Sequence, residues 1–247
     1  MKTQKKRTAA IQPTTKSAAI KAQTKKSIIN RSIFLITIAL AGCSIILMQE
    51  ASQKRERAQK ERILAYILER KPNINMIDAQ ILQQAVIREA AKLQCRPDDE
   101  LCEDMDRTGL LLGIIETESE FTRTARSRVG ALGYMQLMPA TARLVAKEPG
   151  MNEFQILVTD NNLRLGVEFF NYLLRTMKDV RMASLAYNAG PFAALQGRGV
   201  PSYWTKIVRN HDRFMNFVPS EDIQNRMQDA LLSLAERMNK EEQDGAL

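Results

Sequence analysis

Apolar positions cluster first between Ile33 and Met48, a run bounded by Arg31 and Glu50. As a helix those sixteen residues rise about 24 Å, and adding Ser32 and Gln49 brings the segment close to the ~30 Å of a hydrocarbon core. Next, Ser52 to Arg70 alternates charges with Ile63, Leu64, Ile67 and Leu68. It stops at Lys71-Pro72, because the residue before proline is pushed out of helical geometry. A second helical pattern starts at Asp78 and runs through Ile81, Ala85, Val86, Ala90 and Leu93. Leu110 to Ser119 is almost wholly apolar until Glu116, and Pro139 suits the first turn of a helix reaching Ala146. Asp160 to Leu174, Val180 to Tyr187 and Tyr203 to Arg209 keep helical spacing. The last helix opens at Pro219-Ser220-Glu221-Asp222, a capping serine with acids in the first turn, and carries the stripe Ile223, Met227, Ala230, Leu231 and Leu234. No run of strands and no internal repeat interrupts the series, so the chain is predicted to be mainly α.

Composition changes this picture less than charge does. At 45% hydrophobic and 26% charged the chain is of ordinary globular type, with length for one good core plus appendages. Its formal charge is +8, yet residues 1–31 hold nine lysines and arginines and no acid, which leaves −1 for all the rest. The basic balance therefore describes an arm. Those nine bases have no interleaved aromatics and abut an apolar segment, which argues against nucleic acid and for a membrane. Positive charge on the N-terminal side puts residues 1–31 in the cytoplasm, 32–49 across the inner membrane as a single-pass signal anchor, and the remainder in the periplasm. A competing reading takes Leu40-Ala41-Gly42-Cys43 as a lipobox, with the signal cleaved and Cys43 acylated. The rest divides into a helical stalk at 50–74, a globular domain at 75–212 and an amphipathic C-terminal helix at 213–247.

Cys95 and Cys102 flank a short polar stretch, and in an oxidising compartment they are expected to close a disulfide. With His211 the only histidine and no clustered acids, neither a metal site nor a Ser/His/Asp triad is expected. No phosphate-binding loop occurs, and no cofactor is called for.

The chemistry concentrates in one constellation. Glu118 extends the helical face of Leu111, Ile114 and Ile115, whereas Glu116 and Glu120 fall on another flank. An apolar platform raises a carboxyl's pKa, which suits a general acid working near neutrality. Downstream, Gly130-Ala-Leu-Gly-Tyr-Met-Gln136 is a loop of small residues whose Gln136 offers an amide to sugar groups, and Ala186-Tyr187-Asn188-Ala189-Gly190-Pro191 supplies a hydroxyl and an amide before a tight turn.

Glu118-Ser119, Gly133-Tyr134-Met135-Gln136 with Pro139 to Ala142, Asn162 to Gly166, and Ala186 to Pro191, in that order, resemble the soluble lytic transglycosylase (SLT) family over roughly residues 75–210. The resemblance implies a goose-lysozyme-like fold and cleavage of the β-1,4 bond between N-acetylmuramic acid and N-acetylglucosamine in peptidoglycan, with a 1,6-anhydromuramoyl product. It implies Glu118 as the acid and base, Tyr187 as its orienting group, and Ser127, Met135, Gln136 and Asn188 as substrate-binding residues. Asn162 and Gly166 are expected to settle helix packing. Tyr203 matches a late tyrosine of the family, although Trp204 follows it where an aliphatic residue is common. Three further departures stand out: a longer acidic segment from Cys95 to Asp106, Tyr134 in place of leucine, and a short stretch from Phe192 to Pro201.

The acid-free motifs leave no obvious second carboxyl, which fits attack by the substrate's own acetamido group. Asp160 or Asp106 folding into the cleft would instead give a lysozyme-like hydrolase, and an inactive peptidoglycan-binding scaffold is the third reading. A tethered enzyme of this kind would open the wall locally for an envelope-spanning secretion or conjugation machine.

Overall fold

The computed structural model describes residues 44–244, with side chains to residue 237. The expected basic arm, most of the 32–49 span and Cys43 lie outside the described residues. Among the residues described, no helix is long and apolar enough to cross a membrane. The chain divides into two compact units, residues 1–57 and 58–247. In the first, the described residues are helical and expose Ile45, Ile46, Leu47 and Met48.

The second unit is a helical bundle. Helix α1 occupies 44–70, and α2 (Met76–Ala90) follows, its start capped by Asn75. Then come α3 (Glu100–Asp104), α4 (Arg107–Ser119), α5 (Pro139–Ala146), α6 (Glu153–Leu157), α7 (Thr159–Thr176), α8 (Val180–Ala189), α9 (Pro191–Leu195), α10 (Pro201–Met215) and α11 (Glu221–Asp244). Among the described residues there is no strand, only two isolated bridges that pair Leu132 with Arg126 and with Leu137. The chain is thus mainly α, as its periodicity predicts; α3, α6 and α9, one turn each, are too short to announce themselves that way.

α4 is the central rod. Leu110, Leu111, Leu112, Ile114 and Ile115 are all buried, so the helix is covered on every side and not along one stripe. Its first turn is closed by Asp106, which accepts from the Gly109 amide at 2.7 Å. Gly109 and Gly113, one turn apart, let α10 come unusually near. A Cβ on Gly113 would lie 2.8 Å from the Ile207 carbonyl oxygen, and one on Gly109 2.8 Å from the His211 ring. The two backbones therefore meet along a glycine seam.

The boundaries expected from the sequence need correction. Ile63 to Leu68 are buried in the core, and Tyr66 packs edge-on against Phe121, Phe214 and Phe217. Arg62 donates to the carbonyls of Phe214 at 2.7 Å and Met215 at 2.6 Å, closing the end of α10. Residues assigned to a stalk and to a C-terminal appendage thus share one core with the intervening domain. The charged, exposed stretch from Glu50 to Glu61 conceals this, because the buried apolar residues of α1 are confined to its last two turns. Of the stripe expected on α11, Ile223 is buried and Met227 packs on the core, whereas Leu231 and Leu234 are exposed.

The segment between α2 and α4 is tied down twice. Cys95 and Cys102 form the expected disulfide. Between them Asp99, 5% exposed, accepts from the Cys102 amide at 3.2 Å and from the Val180 amide at 2.6 Å, so one carboxylate caps α3 and also takes the first amide of α8.

Candidate active site

α4 ends where two consecutive residues adopt left-handed geometry, Glu120 at φ 47° and Phe121 at φ 57°. Such a pair is costly for residues with side chains, and it is held here by the fully buried Phe121 ring. The turn leaves Glu118 in the last helical turn. The Tyr203 hydroxyl, carried in by α10, donates to Glu118 Oε1 at 2.5 Å. Among the described residues no cation pairs with this carboxyl. Burial pushes its pKa up to about 7 against the opposing pull of the Tyr203 bond.

Tyr187, on the last turns of α8, lies between the rings of Phe169 and Phe170 and donates to the Met135 carbonyl at 2.8 Å. Burial and the nearby Glu118 charge drive the hydroxyls of both Tyr187 and Tyr203 well above their ordinary range. The two tyrosines remain neutral donors at any working pH. Glu118, Tyr187, Tyr203 and the Met135 carbonyl therefore form one cluster, drawn from α4, α8, α10 and the loop before α5.

That loop is held from behind. Asn162 on α7 is fully buried; its Oδ1 accepts from the Met135 amide at 2.8 Å, and its Nδ2 donates to the carbonyls of Leu132 at 3.0 Å and Ile156 at 3.1 Å. Gly133, at φ +78°, leaves no space for a Cβ beside Asn162, and Gly166 leaves none beside the Met135 side chain. The packing roles expected of Asn162 and Gly166 are what these contacts amount to.

The remaining expected residues divide. The Met135 side chain is fully buried against Gly166 and lines no groove; only its backbone reaches the cluster. Gln136 sits at φ 46° and donates Nε2 to the carbonyls of Gly133 at 2.9 Å and Ala125 at 3.2 Å. The donor half of its amide thus braces the loop, and its Oε1 is the atom it has to offer. Ser127 Oγ accepts from the Ala131 amide at 2.9 Å within the same loop, and Asn188 is exposed on α8. Among the described residues no hydrogen bond links either of them to Glu118.

One acid was misplaced by the helical-face argument. Glu116, 7% exposed, is more buried than that argument expects, and its oxygens take a hydrogen bond from Tyr66 at 2.6 Å and ion pairs from Arg70 at 2.8 Å and Arg213 at 2.7 Å. Asp106 caps the opposite end of α4, about 18 Å from Glu118 along the axis. Asp160 pairs with Arg88 at 2.8 Å and is largely exposed. No second carboxylate acts on Glu118 among the described residues. The cluster can hold one proton on Glu118 near neutrality.

Residues 99–200, which hold Glu118, Met135 and Tyr187, match the family model described as "Transglycosylase SLT domain". A transglycosylase of Enterobacteria phage PRD1 is 35% identical over 101 residues, covering 41% of this chain and 36% of that protein. A soluble lytic murein transglycosylase of Salmonella typhimurium is 34% identical over 85 residues, 32% of this chain and 13% of that protein. The chain thus spans little more than a third of the first relative's length and far less of the second's. Among solved structures, an inactive mutant of the lytic transglycosylase Slt from Pseudomonas aeruginosa aligns with TM-score 0.38 at 27% identity, over 54% of this chain and 22% of that one. The 70-kDa soluble lytic transglycosylase of Escherichia coli aligns with TM-score 0.41 at 20% identity, over 61% and 26%.

Proposed function

We propose that the chain is a peptidoglycan lytic transglycosylase of goose-lysozyme-like architecture that cleaves the β-1,4 bond between N-acetylmuramic acid and N-acetylglucosamine. The observation that carries this is Glu118: a desolvated carboxyl with pKa near 7, bonded to Tyr203, with no partner carboxylate. Glycosidases that use two carboxylates need them about 5 to 9.5 Å apart, whereas Glu116 is paired with Arg70 and Asp106 caps the far end of α4. Glu118 gives its proton to the glycosidic oxygen as that oxygen leaves C1, while the 2-acetamido oxygen of the muramic acid bonds to C1. The Glu118 carboxylate then takes the proton of the C6 hydroxyl as O6 displaces the acetamido oxygen. The product is a 1,6-anhydromuramoyl end, and Glu118 is again protonated.

In this reading Tyr203 steadies the carboxyl and Tyr187 holds the Met135 carbonyl at the cleft floor. Gln136 Oε1, Ser127 and Asn188 contact the sugars. The apolar 32–49 segment places the enzyme on the inner membrane facing the periplasm, as an anchor or through an acylated Cys43. From there it would clear wall for an envelope-spanning secretion or conjugation machine.

The deciding experiment digests purified sacculi with the full-length chain in detergent and with its Glu118→Gln variant, followed by mass spectrometry of the released ends. Anhydro ends from the parent and none from the variant are expected. Reducing muramic acid ends would make it a muramidase, and no release by the parent would leave a binding scaffold. Intact mass of the membrane-extracted protein separates anchor from lipoprotein.

A further inference from the structure

Between Tyr187 and Tyr203, both of which stand at Glu118, the chain leaves the site and returns to it within sixteen residues. α9 fills that excursion. It is fixed from below: Gly190 turns at φ +86°, Pro191 opens the helix, Ala194 is buried, and Gly199 passes so close to Leu185 that a Cβ there would be 2.9 Å away. Above this base Phe192 is 70% exposed. One of its faces already carries the Arg198 guanidinium, 5.9 Å from the ring centroid. The guanidinium itself is exposed. Phe192 follows Tyr187 by five residues, so their Cα atoms are within about 18 Å, a few sugar units from the reacting bond.

We infer that Phe192 and Arg198 form an accessory subsite for the glycan strand, the ring stacking on a pyranose and the guanidinium taking a carboxylate of the attached peptide stem. This rests on the proposed peptidoglycan activity and adds to it a specificity-determining pair. The apolar C–H face of a pyranose matches an aromatic face, and the planar guanidinium fork matches a carboxylate. The cation over the ring pre-positions the charge beside the sugar, where a stem would leave the muramic acid.

The test uses the full-length chain in detergent on two substrates: intact sacculi and glycan strands stripped of their stems by an amidase. Phe192→Ala is expected to raise KM about tenfold on both with kcat nearly unchanged. Phe192→Trp should restore it. Arg198→Gln is expected to raise KM on stem-bearing substrate only. Co-sedimentation of the Glu118→Gln protein with each substrate, with and without Phe192→Ala, reads the same contact without turnover. If Phe192→Ala alters neither KM nor co-sedimentation, the subsite is overturned while the activity stands. If the parent releases no product, the activity reading falls, and a loss of co-sedimentation with Phe192→Ala still supports the strand contact. An Arg198 effect equal on both substrates would overturn the stem half of the inference.

Discussion

Glu116 and Glu118 are two residues apart on one helix, roughly 200° around its axis, and they live in opposite worlds. Glu116 is surrounded by Arg70, Arg213 and the Tyr66 hydroxyl, and it ties α1 and α10 to α4. Among the described residues Glu118 meets a single tyrosine hydroxyl as hydrogen-bond donor and no cation. The first is an anion used as a fastener, the second a carboxyl kept protonatable. The same side chain thus becomes architecture or chemistry according to whether arginines are supplied.

Replacing Glu118 by Gln should test the second role most severely. A general acid contributes about 10²- to 10⁴-fold, so release of ends should fall by at least that range. The same variant should gain stability. With its pKa lifted from 4.5 to about 7, the folded state binds the proton more tightly than the unfolded one, and stability drains away as pH rises from about 4.5 through 7. Above that window the glutamine chain should be more stable by on the order of 2 kcal/mol, and at pH 4 the two should melt together. Equal melting at both pH values would mean that the carboxyl is not desolvated.

Glu116→Gln should invert this pattern. Arg70 and Arg213 lose their counter-charge, and because both are more than a third exposed the cost is about 2 kcal/mol and not the larger penalty of a fully buried pair. Activity per folded molecule should persist, and a collapse of kcat in well-folded protein would contradict the division of labour. Gly113→Ala attacks the link between the two carboxylates: it pushes a Cβ against the Ile207 carbonyl and should cost about 1 to 3 kcal/mol. It should also lower kcat by shifting Tyr203, whereas Gly150→Ala, which meets nothing within 4 Å, serves as the neutral control. The mildest change is Tyr203→Phe. That hydrogen bond lowers the Glu118 pKa, so its loss should move the alkaline limb of the pH–rate profile upward, and a limb that moves down would refute the assignment.

Much of this was legible in the chain. The apolar run before Glu118, the cysteine pair and the helical series are local patterns, and local patterns survive folding. Glu116 was not legible in that way, because its arginines lie 46 residues before it and 97 after it. Its place on the polar flank of an isolated helix says nothing about what covers that flank. Ile63 to Leu68 were hidden by charged neighbours that belong to the exposed half of the same helix. Met135 and Gln136 look like ligand groups from their motif, yet Met135 turns its side chain into the core and Gln136 spends its donor on its own loop, since a left-handed turn needs bracing before it can present anything.

The left-handed turn at Glu120 and Phe121 has an electrical consequence. By stopping α4 two residues after Glu118, it places the carboxyl at the negative pole of the helix macrodipole, where an added charge is opposed by about 0.3 to 1 kcal/mol. Burial is the main reason that this acid keeps its proton near neutral pH, and helix polarity pushes the same way. Had the helix run one or two turns further, the carboxylate would have been moved off that pole and acidified, so the point at which α4 stops helps to set the strength of the acid.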